Sequence, residues 1–187
     1  KRLMELATKY NVPVVEDNPY GELRFEGKIM PSLKCFDTNN LVILLGTFSK
    51  ILAPGMRLGW VIASPEILQK YNIAKQGADL QCSTIAQREV NVYMDMFDIE
   101  EHIKKIIKVY GERKNLMLET IKKEFPDNVA CTNPVGGLFA WATFPKEIDA
   151  AELLKKALEQ KVAFVPGEPF YPNGGNANHA RLNYSCM

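Results

Sequence analysis

Three short apolar runs constrain this chain more than anything else in it. Residues 12–15, 41–45 and 58–63 are each mostly apolar; the first two follow Asn11 and Asn40, and the third ends at Ser64-Pro65. Runs this brief read as strands of a buried sheet, because a helix needs a longer periodic stretch. Helical patterning flanks them. Leu3, Leu6, Ala7 and Tyr10 fall at helical spacing before the first run. After the third, Ser64 followed by Pro65 and Glu66 gives an N-cap, a proline at the first helical position and an acidic first turn. Helical patterning then continues with breaks expected near Gly77 and Cys82. Strands embedded among helices predict an α/β layer with a mainly parallel sheet.

The second half changes rhythm. Ile99, Ile103, Ile106, Ile107, Tyr110, Met117 and Ile121 draw one long apolar stripe that Pro126 follows. "GGLFAWATF", "VAFVPG" and "ARLNYS" read as short strands, and Asp149 with Glu152 predicts a capped helix over 150–160. The expected organisation is a partial α/β domain over 1–98, a bridging helix over 99–127 and a small α+β domain over 128–187. Both ends of the chain look cut through structure, which predicts a piece of a longer protein.

Composition excludes several partners. With 187 residues and a formal charge of +1, basic and acidic residues alternating, nothing predicts nucleic-acid or anionic-membrane binding. No apolar stretch approaches the roughly 20 residues of a membrane span. The four cysteines, Cys35, Cys82, Cys131 and Cys186, have no metal-ligand spacing, so free thiols in a reducing cytoplasm are expected and no metal. Trp60 and Trp141 are expected in the core. His102 and His179 have no evident partner and are expected in solvent or loops, and the Lys-rich stretch 103–114 on the wet side of the long helix.

The chemistry concentrates after two of the strands. Asp17 lies just past the first run and Lys50 just past the second, within "GTFSKILAPGMRLGW". If those strands run parallel, both side chains emerge at the carboxyl edge, where open α/β sheets bind ligands. As a bare pair, taken without their neighbours, they read first as a simple salt bridge. Around Lys50, however, Thr47, Ser49 and Arg57 supply hydroxyls and a guanidinium suited to a phosphate. A lysine, a phosphate cradle and a carboxylate are the parts that a pyridoxal phosphate enzyme uses.

"GTFSKILAPGMRLGW" resembles the cofactor-lysine signature of class I/II aminotransferases of fold type I, and "VVEDNPYGELRF" resembles the strand that delivers their pyridine-pairing aspartate. The similarity runs on in order through "AKQGADL", "GGLFAW", "VAFVPGEPFY" and "RLNYS", and is strongest to the 2-aminoadipate and kynurenine aminotransferase group. The resemblance implies the carboxyl-terminal part of an aspartate-aminotransferase-like large domain plus a truncated small domain. It implies pyridoxal 5'-phosphate as cofactor, with Lys50 as the covalent anchor and proton carrier. Asp17 would partner the ring nitrogen and Tyr20 the ring 3-oxygen, while Thr47, Ser49 and Arg57 would hold the phosphate. Arg181 would clamp the substrate α-carboxylate in a cleft beside the small domain.

The implied reaction is ping-pong transfer from a 2-aminoadipate, aromatic or branched-chain amino acid to a 2-oxo acid such as 2-oxoglutarate, in a cytoplasmic homodimer. The family's glycine-containing phosphate loop, its ring-stacking aromatic and an asparagine have no counterpart in the sequence. The isolated chain is therefore expected to bind the cofactor weakly and not to transaminate. An aminotransferase-like effector domain of a transcription regulator is the alternative, and a non-catalytic dimerisation module a further one.

Overall fold

The computed structural model describes residues 1–186. The chain forms two compact units, Lys1–Ile106 and the part from Ile107 onward.

In the first unit, helix α1 (Arg2–Tyr10) leads into strand β1 (Val14–Asp17), and a 3-10 turn (Leu33–Phe36) precedes strand β2 (Val42–Thr47). Strand β3 (Gly59–Ile62) and helices α2 (Pro65–Ala78) and α3 (Thr84–Met96) follow. The sheet order is β1-β2-β3. β1 and β2 are parallel as expected, but β3 runs antiparallel to β2. The physical reason lies in residues 48–58, which hold no helix able to carry the chain back to the starting edge, so the strand simply returns.

α1 ends on Asn11 in the left-handed conformation, a common helix stop. Its buried stripe is Met4 and Ala7, packed with Val42 and near Val14, Leu33 and Phe36. Leu3, Leu6 and Tyr10 are exposed, so the buried stripe is narrower than the periodicity predicts. The break between α2 and α3 falls at residues 79–83, where Leu80 takes a positive φ of 65°. Gly77 sits inside α2.

Two features fix β2. The Asp37 carboxylate, sealed from solvent, accepts from Lys34 Nζ at 2.9 Å and from the amides of Asn39, Leu41 and Val42. Lys34 also donates to the Val42 carbonyl at 2.9 Å, so the clasp pins the start of the strand. At the far end β2 and β3 approach so closely that a Cβ on Gly46 would lie 2.2 Å from the Trp60 ring, and one on Gly59 would lie 2.7 Å from the Gly46 carbonyl oxygen. Trp60 packs edge-on against Phe48 at 5.0 Å and is half-buried, not the core residue expected.

The long apolar stripe forms α4 (Ile99–Glu124), and the boundary between the units falls within it. Lys114, expected on its wet side, is 3% exposed, its ammonium 3.4 Å from Asn133 Oδ1 and from the Pro134 carbonyl. Strands β4 (Ala130–Cys131), β5 (Phe139–Thr143), β6 (Val165–Pro166) and β7 (His179–Asn183) make an antiparallel sheet in the order β4-β5-β7-β6. One face is lined by Ala140, Ala142 and Ala180, small enough for a close-packed core that includes Phe144, Ile148 and Leu153. Helix α5 (Ala150–Glu159) starts on Asp149, which accepts from the amides of Ala151 and Glu152. Glu152 pairs with Lys155 at 2.6 Å. Among the described residues no helix is long and apolar enough to cross a membrane.

Two substitutions test the contacts at the two ends of β2. Gly46→Ala should drive Trp60 off the strand, read as a shift in tryptophan emission and a lowered urea midpoint; an unchanged spectrum contradicts the contact. Burial raises the Asp37 pKa, but the Lys34 bond and the three amides outweigh it and bring it to about 2 from an ordinary 3.8. With the folded value below the unfolded one, its stabilisation is complete above about pH 4 and disappears as pH falls toward 2, a contribution of about 2 kcal/mol. Asp37→Asn should be the less stable protein at pH 7, and its deficit should shrink across that window in urea titrations.

Candidate functional site

Parallel pairing sets Asp17 level with Leu45, so the ends of β1 and β2 share one edge. Side chains alternate along a strand, which puts Asp17 and Thr47 on one face and Glu16 on the other. Glu16 is fully engaged there: it accepts from Ser32 Oγ at 2.6 Å and from the amides of Leu33 and Lys34 at 3.1 and 3.4 Å. The exposed Asp17 has no hydrogen-bond or ion-pair partner among the described residues. Two adjacent carboxylates thus have separate jobs, one anchoring the 3-10 turn and one left open. Only Asp17 was expected to matter, although the period of two in "VVED" separates the pair.

After Asp17 the chain turns at once. The Asn18 amide donates to the Leu45 carbonyl at 3.1 Å, and the Leu23 amide to the Tyr20 carbonyl at 3.0 Å, with Leu23 wholly buried as the anchor. Tyr20 is half-buried in that turn.

Lys50 stands in the loop between β2 and β3. The neck of this loop is tied by the Phe48 amide to the Leu58 carbonyl, 3.1 Å, and by the Thr47 hydroxyl to the same carbonyl, 2.9 Å. Ile51 and Leu58 bury their side chains beneath it. The Thr47 and Ser49 hydroxyls lie 3.0 Å apart, and the Ser49 amide donates to Thr47 Oγ1 at 3.1 Å. Lys50 itself is half-buried and makes no ion pair among the described residues. The salt bridge that a bare Asp17–Lys50 pair could have formed is not made.

The loop closes through a 3-10 turn, Pro54–Met56, and Arg57 follows with φ 53°. A non-glycine residue held left-handed costs about 1–2 kcal/mol, and such strain clusters at functional sites. One Arg57 terminal nitrogen donates to the Pro54 carbonyl at 3.1 Å. The rest of this exposed guanidinium has no partner among the described residues. An open hollow of about 480 Å³ beside it is bounded by Gly55, Met56, Asp79, Ser83 and Glu89, and of the expected site residues only Arg57 lines it.

Arg181 belongs to the second unit. On β7 it pairs with Trp141 and Val165, on the sheet face opposite the alanines. Its guanidinium carbon lies 4.2 Å from the Phe139 ring centre and 4.9 Å from that of Phe170. Trp141, expected in the core, is half-buried on this aromatic face, 5.5 Å from Phe170 and 5.8 Å from His179. His179 is not a loop histidine: it opens β7, with Nδ1 3.0 Å from the Asn176 carbonyl and its ring against Tyr171. His102 packs edge-on to Tyr93 at 6.3 Å. Phe139 and Phe170 were not foreseen, though alternation in "GGLFAWATF" puts Phe139 on the Trp141 face.

Among the described residues, then, Lys50 and Asp17 make no ion pair, the Thr47 and Ser49 hydroxyls are paired, and Arg57 has one hydrogen bond, to the Pro54 carbonyl. The family model described as aminotransferase class I and II matches residues 1–187. The chain is 46% identical over its full length to the aromatic-amino-acid aminotransferase 1 of Thermococcus litoralis, covering 45% of that protein. It is 41% identical to the 2-aminoadipate transaminase of Thermus thermophilus, again over all of this chain and 48% of the relative. The crystal structure of Pyrococcus horikoshii kynurenine aminotransferase with PMP superposes on the whole chain and 46% of its own, at a TM-score of 0.93 and 44% identity. The chain thus spans about half the length of the relatives that it matches. Over that span it has their α/β fold, and it belongs to the class I and II aminotransferase family.

Proposed function

We propose that this protein transfers an amino group from an amino acid to a 2-oxo acid with pyridoxal 5'-phosphate as cofactor. The observation that carries the reading is that, among the described residues, Lys50 and Asp17 stay unpaired at or just past the ends of two parallel strands, Lys50 directly after the paired Thr47 and Ser49 hydroxyls. Had these groups neutralised one another, the edge would be structural. The residues fit the cofactor: a free amine for its aldehyde, a free carboxylate for its ring nitrogen, and donors for its phosphate.

Bound there, the cofactor supplies a carbonyl that captures amines reversibly and a cationic ring that draws electrons from the substrate carbon. Lys50 Nζ is the nucleophile that holds it and the base that takes and returns the substrate proton. Asp17 would accept the hydrogen bond of the ring nitrogen and balance its charge. Tyr20 would meet the ring 3-oxygen with its phenol. Ser49, Arg57 and Thr47, whose hydroxyl otherwise donates to the Leu58 carbonyl, would hold the phosphate. Arg181 takes the substrate α-carboxylate as a two-pronged donor, which orients the carbon whose proton moves. The amino donors fitting the relatives' names are 2-aminoadipate and aromatic amino acids, with branched-chain ones as a further class. The acceptor is a 2-oxo acid such as 2-oxoglutarate, and the working form a homodimer in the cytoplasm.

The phosphate assignment is tested by comparing pyridoxal phosphate with pyridoxal, which lacks the phosphate, in equilibrium titrations. Arg57→Ala should weaken the phosphorylated ligand about tenfold, the size of one charged hydrogen bond, and leave pyridoxal unchanged. Equal loss for both ligands, or none, removes Arg57 from the phosphate site.

A further inference from the structure

We propose that Phe139 and Phe170 are positioning residues that hold the Arg181 guanidinium between their rings, so that a carboxylate is met end-on by its two terminal nitrogens. The inference rests on the reading of Arg181 as the carboxylate clamp, and goes on to say how that clamp is aimed.

Three independent observations carry it. First, the guanidinium carbon is 4.2 Å from one ring centre and 4.9 Å from the other, both within the range of cation–π attraction. A planar cation held by two rings loses its freedom to swing, whereas an arginine on a long unsupported stem does not. Second, Arg181 Nε is sealed from solvent and has no acceptor among the described residues. A buried donor without a partner is rare and costly, so the packing that imposes it must be compensated. The two ring faces supply that compensation. The terminal nitrogens also have no partner among the described residues, but they are not sealed in this way. A carboxylate approaching Arg181 therefore finds the terminal pair and not the side edge.

Third, the backbone fixes the ring positions. Trp141 is directly opposite Arg181 across the β5–β7 ladder, and Phe139 is two residues along the same face, paired with Asn183. Diagonal neighbours of that kind are within reach of long side chains. Phe170 arrives separately from the 3-10 turn Glu168–Phe170 that follows β6, so the second ring comes from a different segment. The Arg113 guanidinium bonds the Ser185 carbonyl just beyond β7, which steadies the strand end.

The test is nuclear magnetic resonance of the full chain labelled with ¹⁵N-arginine, with Arg181→Lys identifying the signal. The Arg181 Nε proton should resonate upfield of the other arginines through the ring currents and exchange slowly with water. Titration with acetate should move the terminal-nitrogen signals and leave Nε nearly unmoved. Phe139→Leu should return the Nε proton toward the ordinary position and weaken acetate at least about fivefold. Phe170→Leu, at a residue 48% exposed and therefore safe for folding, should do the same to a smaller extent. An ordinary, fast-exchanging Nε proton overturns the inference, as does wild-type acetate affinity in both leucine variants. If acetate instead moves no Arg181 signal while the ring-current shift is present, the carboxylate reading of Arg181 fails and the end-on approach with it.

Discussion

The parallel pairing of β1 with β2 is the constraint on which the first unit depends. A register that sets Asp17 beside Leu45 decides which of two adjacent carboxylates faces the open side and which caps the 3-10 turn. One residue of slip would exchange Glu16 and Asp17, because side chains change face at every step. The Asp37–Lys34 clasp protects that register from one end, holding the amides and carbonyl where β2 begins. From the other end, the missing side chains of Gly46 and Gly59 let β3 close against β2 and bring the loop carrying Lys50 back to the edge. The residues at this edge are therefore positioned by other groups, at both ends of β2.

The second unit solves a different problem with the same material. Its sheet buries a face of alanines against hydrophobic neighbours and leaves the other face for aromatic rings around one arginine. A guanidinium is weakly hydrated and planar, so it tolerates this half-buried setting where a lysine ammonium would not. Lys114 shows the contrast. Buried to a similar degree as the core, it reaches backbone and amide oxygens of residues 133 and 134 and so ties the loop that leads toward β5.

Much of this was legible in the sequence, and the exceptions have physical causes. The strands, the N-caps at Ser64 and Asp149 and the long helix follow from local signals that act within a few residues. The motif around Lys50 placed the amine and its hydroxyls correctly at the end of a strand, because a strand–loop junction is itself a local feature. What local signals could not give was pairing direction, so β3 appeared as one more parallel strand. Nor could they show burial at Lys114, since charge pattern along a helix says nothing about what packs on it. Trp60 and Trp141 were expected in the core on hydrophobicity alone. Instead Trp60 covers a glycine and Trp141 joins a half-exposed aromatic face, both outcomes of tertiary contacts.

The proposed role of Lys50 is to bond the cofactor. Its most direct test is to add pyridoxal phosphate to the protein, reduce with borohydride and map the modified lysines by mass spectrometry. Saturable modification at Lys50 alone, diminished when Asp17 is replaced by alanine, is the expected result. Modification scattered across the exposed lysines, with Lys50 no more reactive than the rest, would contradict it.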